Sequence, residues 1–166
     1  MSGPPGYARN MPESMAIYLR NHEAAARGGV DLFRRTQAGQ RGRPWAGELH
    51  ALRGEVEEDH RTLQDLMRRA GVRPDMLLGL AIRAAERAGR LKPNGSLVRR
   101  SPVSDLVELE ALLSAVDAKA AGWRALQAAG SVGSQSELGA LVARAVEQHQ
   151  RLEAVHTQAA AEVLRS

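Results

Sequence analysis

The chain is predicted to be all-α, a single domain built as an antiparallel four-helix bundle with an extra short helix in its middle connection. Three observations predict this. Apolar residues recur at helical spacing over four long stretches, each bounded by proline, glycine or capping residues. The composition is rich in Ala, Leu, Arg and Glu, all good helix formers. No stretch of any length alternates apolar and polar residues as a half-buried strand would.

Residues 1–11 carry Pro4, Pro5 and two glycines and read as a flexible tail, leaving 12–166 as the bundle domain. Asn10 and Glu13 have capping-box spacing, and Pro12 in the first turn loses no hydrogen bond. The first helix is striped by Met15, Leu19, Ala26, Gly29 and Phe33, with His22 on the same stripe, and ends at Gly39-Gln-Arg-Gly42. Gly28-Gly29 inside it costs roughly 1 kcal/mol per glycine against alanine, which reads as close approach of a second helix. Pro44 opens the second helix, with Trp45, Leu49, Leu52, Val56, Leu63 and Met67 inward, and Gly71 stops it.

Pro74-Asp75 starts the short helix, Met76 to about Arg90, apolar on most faces. Lys92-Pro-Asn-Gly-Ser96 is a turn-rich connection. Ser101-Pro102 or Ser104 begins the next long helix, striped by Leu106, Leu109, Leu113, Val116, Ala120 and Trp123. Gly130-Ser-Val-Gly133 breaks it, and Ser134 with Glu137 forms a capping box for the last helix. That helix is striped by Leu138, Leu141, Ala145, Leu152, Val155, Ala159 and Val163. Trp45 and Trp123 are expected to close opposite ends of the core.

The absence of cysteine excludes disulfides, thiolate metal sites and cysteine nucleophiles. No apolar run approaches the roughly 20 residues of a membrane span, and the N-terminus lacks a signal-peptide pattern, so a cytoplasmic protein with no membrane partner is expected. The net charge of +4 and the high isoelectric point come from arginine; only Lys92 and Lys119 are lysines. Acids are interleaved with the bases and aromatics make up 3% of the chain, which argues against a nucleic-acid partner. Phosphate-binding glycine loops, nucleophile elbows and dinucleotide fingerprints are absent, which argues against ordinary nucleotide-dependent catalysis.

One chemistry-bearing pattern stands out. Bundles hold di-metal sites with one Glu on each of two helices and Glu-x-x-His on the other two, because i, i+3 spacing turns both ligands to one face. The candidates are Glu23, Glu57 with His60, Glu108 or Glu110, and Glu153 with His156. On these residues and this helix order the chain resembles the ferritin-like superfamily, with the helix order of rubrerythrin-type bundles and related uncharacterised bacterial proteins. The resemblance implies iron or manganese at the bundle centre, with oxidase, peroxidase or storage chemistry.

At roughly 100° per residue, Glu57 falls about 120° from its apolar stripe and Glu23 about 70–100° from its own, while Glu153 lies at a boundary. The histidines are better placed: His22, His60, His149 and His156 fall on or near inward stripes and His50 outside them. With Asp59 they form an expected polar cluster at bundle mid-height, suited to one divalent ion such as zinc or to a pH-sensitive core. The reading that follows is a bundle without an intact di-metal site or cofactor, serving a structural or interaction role as a homo-oligomer, a dimer. Val30, Leu66, Val107, Leu112 and Leu126 are its expected pairing surface. A metal-dependent oxidase or stress protein, and a basic nucleic-acid accessory protein, are the alternatives.

Overall fold

A computed structural model describes residues 11–74 and 101–165, and within them the chain is helical with no strand. The four helices are α1 (Glu13–Gly39), α2 (Ala46–Arg69), α3 (Pro102–Ala129) and α4 (Gln135–Val163). The expected short helix at 76–90 and the capping residue Asn10 lie outside the described residues.

Each boundary has a local cause. Pro12, at φ −54°, occupies the cap position of α1, and Glu13 puts a carboxylate against the positive end of the helix dipole. The backbone N–H of Gln40 closes the other end on the Thr36 carbonyl at 3.0 Å. Gly71 at φ 72° turns the chain after α2, a left-handed conformation that a Cβ would disfavour. Ser101 and Ser104 cap each other's backbone at the start of α3, and Ser134 with Glu137 does the same for α4, as expected.

The turn between α1 and α2 is locked to the start of α3. Trp45 Nε1 donates to Gln40 Oε1 at 2.7 Å, and Gln40 Nε2 donates to the Asp105 carbonyl at 3.2 Å and to Glu108 at 3.1 Å. Gln40 is 1% exposed, so each of its polar atoms needs such a partner. Arg43 pairs with Asp105 at 2.6 Å and with Glu162 near the end of α4 at 3.2 Å.

Direct packing runs α1–α2, α1–α3, α3–α4 and α2–α4, while α2 and α3 face each other without touching as neighbours. The core divides into two apolar clusters. One joins Val30 and Phe33 of α1 to Leu49, Leu52 and Val56, to Leu106 through Val116 of α3, and to Leu152 through Val163. The other joins Leu19 to Leu63, Leu66 and Met67, to Ala120, Trp123 and Leu126, and to Leu138, Leu141 and Ala145. Trp45 belongs to the first and Trp123 to the second. Each buried Leu contributes roughly 1.5–3 kcal/mol relative to exposure.

Two expectations need correction. Val30, Leu66, Leu112 and Leu126 are buried core residues, and of the expected pairing surface only Val107 is exposed. Their stripes are wider than the sequence reading allows, since each helix packs on two neighbours. Gly29 does not mark a close helix contact: a Cβ there would meet nothing within 4 Å.

Candidate functional site

Between the two apolar clusters each helix turns one polar residue inward. Glu23 on α1 (0% exposed), Asp59 on α2 (2%) and Gln148 on α4 (0%) are buried, and the Lys119 side chain on α3 is 14% exposed. Burying such groups is costly unless every one is paired, and the layer shows how the pairing is met.

Glu23 accepts two hydrogen bonds from Arg27, at 2.7 and 2.8 Å, one turn along α1. His60 Nε2 lies 3.1 Å from the same carboxylate, and Gln64 Nε2 donates to it at 3.4 Å. Burial alone would raise the Glu23 pKa, but the bonds from Arg27 and His60, with the Arg27 charge and Gln64, outweigh it and hold the carboxyl below its ordinary value.

The second network crosses the bundle. Lys119 Nζ lies 2.5 Å from Asp59 Oδ2 and also donates to the Gln148 side-chain carbonyl. Gln148 Nε2 donates to Asp59 at 3.2 Å and to Glu55 at 3.2 Å, while Arg144 pairs with the other Asp59 oxygen. Glu55 and Glu48 both accept from Arg151 at 2.6 Å, which raises the Arg151 pKa further. Three cations, Lys119, Arg144 and Arg151, thus meet three carboxylates, Asp59, Glu55 and Glu48. Burial lowers the Lys119 pKa; Asp59 and Glu55 oppose that, and Arg144 adds to it.

Beside this layer, among α1, α2 and α3, lies a cavity of about 510 Å3. It exists because two facing helix segments carry small residues: Ala25, Ala26, Gly28 and Gly29 on α1, and Ala111, Ala115, Ala118 and Gly122 on α3. Apolar groups make up most of the wall, including Leu32, Phe33, Leu63 and Leu126. The polar groups reaching it are His22, Arg35, Asp59, His60 and Lys119. Trp123 also lines it, and its buried Nε1 has no hydrogen-bond partner among the described residues. His22 packs its ring on Tyr18, centroids 4.3 Å apart, and burial lowers its pKa. The size suits a small organic molecule, mostly apolar with few polar points.

The sequence-predicted ligand residues are placed in pairs. Glu57 accepts from Arg34 at 2.9 Å, and His149 Nδ1 lies 2.9 Å from Asp117. His156 Nε2 lies 3.3 Å from Glu110, and Glu153 is exposed. Asp59 and His60 do share bundle mid-height with Glu23, and His22 faces the cavity beside them. Among the described residues no group of three or more His, Asp or Glu side chains gathers in a way that could hold a metal ion. The helical phase puts Glu23 off its stripe, yet the residue is fully buried. The residues that sequence reasoning missed are Lys119 and Gln148, which complete the layer.

Compared with family models, curated proteins and solved structures, the chain matches none of them.

Proposed function

We propose that this chain is a small-molecule-binding helical bundle that holds a largely apolar ligand in the cavity among α1, α2 and α3. The observation that carries this reading is about 510 Å3 of largely apolar space, kept open by the small residues of α1 and α3 that face each other across it. Gly29, with open space where its side chain would be, keeps the wall clear at a cost in helix stability.

We assign the bundle an antiparallel, ferritin-like arrangement. Its support is the core itself: the end of α1, the start of α2, the start of α3 and the end of α4 share one apolar cluster. On that reading α2 ends and α3 begins at opposite ends of the bundle. The mid-height position at which the resemblance would put metal is then taken by the Lys119 ammonium and the Gln148 amide, each already bonded to Asp59. A binding role without metal chemistry follows.

Titration with retinol, followed by quenching of tryptophan fluorescence, tests the reading. Saturable binding of one equivalent is expected, lost in Gly29→Leu, whose side chain would enter the cavity. Failure to saturate in the parent protein overturns it.

A further inference from the structure

The geometry points to Lys119 as a carbonyl-capturing amine: the cavity takes an apolar aldehyde or ketone, which condenses with Lys119 Nζ to a reversible imine whose counter-ion is Asp59. This rests on the proposed ligand-binding role of the cavity and names the ligand's reactive group.

Three observations converge on it. Lys119 lines the cavity, its side chain is only 14% exposed, and its amine is bonded to Asp59, a second residue of the same wall. Asp59, also in the cavity wall, is 2.5 Å from Nζ and is placed to take the ammonium proton. The third observation is chemical. The chain has 23 basic residues and only two are lysines, Lys92 and Lys119. A structural cation tying Asp59 to Gln148 would be served by arginine, the residue this chain uses almost everywhere else. Arginine holds its proton and cannot act as a nucleophilic amine; a desolvated lysine can.

The groups facing the amine are Asp59 and Glu55 from α2 and Arg144 and Gln148 from α4, with His22 of α1 across the cavity. Burial and Arg144 favour the free amine, against the two carboxylates, and the balance lies below the ordinary lysine pKa. The step balances without a redox partner. Asp59 accepts a proton from Nζ, and the nitrogen lone pair attacks the carbonyl carbon. The carbonyl oxygen takes up two protons, one from the attacking nitrogen and one returned by Asp59, and leaves as water as the C=N bond forms, which restores the Asp59 carboxylate. Protonated at nitrogen, the imine keeps the positive charge that Asp59 already balances.

Retinal and retinol are the probes, the same apolar body with and without the carbonyl. The protein is incubated with each in the presence of cyanoborohydride, which delivers hydride to an imine carbon and fixes it as a secondary amine, and adducts are mapped by peptide mass spectrometry. Lys119 is expected to be modified about tenfold or more over Lys92 and the N-terminal amine, since a bound carbonyl is held at high effective concentration. Its adduct yield should rise with pH through a midpoint below 10.5, the ordinary lysine value. Lys119→Arg should keep retinol quenching and lose the adduct; if that variant does not fold, the site ratio in the parent protein still decides. Retinol quenching with no preference for Lys119 overturns the imine and leaves the binding role standing. Absence of both quenching and adduct overturns both.

Discussion

Lys119 Nζ and Asp59 Oδ2 stand 2.5 Å apart across a diagonal of the bundle, joining α3 to α2, two helices that do not pack on each other directly. Gln148 of α4 bonds to both, so three helices meet at one carboxylate. Removing one member of a buried pair strands the other charge, whereas replacing both with apolar groups need not. Asp59→Leu should therefore lower stability by about 3–5 kcal/mol in urea unfolding, because it strands Lys119 beside Arg144. Adding Lys119→Met should recover at least half of that loss. Additive losses in the double variant would show that the two groups are not coupled.

Glu23 gives the fold an acid-sensitive element. Its folded pKa is depressed below the ordinary 4.5, so its contribution is present above that value and is lost as pH falls through the lower, folded pKa. Glu23→Gln keeps the size and one acceptor but removes the charge facing Arg27. It should cost about 1.5–3 kcal/mol at neutral pH, the scale for a bond to a charged group. The gap between parent and variant should close as pH is lowered below 4.5, measured by chemical unfolding at each pH. A gap independent of pH would assign the effect to packing instead.

The polar layer was legible in the spacing. Leu49, Leu52, Val56, Asp59, Leu63 and Leu66 follow one another at alternating intervals of three and four. Leu109, Leu112, Val116, Lys119, Trp123 and Leu126 do the same, as do Leu141, Ala145, Gln148, Leu152 and Val155. On α1 the corresponding run is Leu19, Glu23, Ala26, Val30 and Phe33; a stripe drawn instead through Met15, His22 and Gly29 rotates Glu23 out of the core. Reading apolar letters alone hides this, because a charged residue in register looks like a gap. Helix boundaries were readable because Ser101, Ser134 and Gly71 act locally. The cavity was not, since it depends on which small residues of α1 and α3 face each other.

Gly122 and His22 compete for one volume. A Cβ at Gly122 would lie 2.8 Å from two atoms of the His22 ring, while the helix would gain about 1 kcal/mol from alanine. Gly122→Ala should thus be destabilising in the parent and stabilising in a His22→Ala background, a change of sign read by thermal or urea unfolding. His22 also carries a pH signature. Burial holds its folded pKa below 6.5, so the unfolded chain takes the proton first and stability falls as pH drops from above 6.5 towards the folded value. His22→Ala should flatten that part of the profile; an unchanged slope would place its origin elsewhere.

Gly29 separates stability from binding. It sits inside α1, in the cavity wall, with nothing within 4 Å of where a Cβ would be. Alanine there removes the backbone freedom of glycine in the unfolded chain without a clash, and should stabilise the protein by about 0.5–1 kcal/mol. Leucine should do so as well, since its side chain fills apolar space rather than displacing core. Retinol affinity should then be highest in the parent, lower in Gly29→Ala and lowest in Gly29→Leu, while both variants are more stable than the parent. Unfolding curves and fluorescence titration on the same samples measure both. If Gly29→Leu were destabilised by more than about 1 kcal/mol, the space beside α1 would be closed to a side chain, and to a ligand with it.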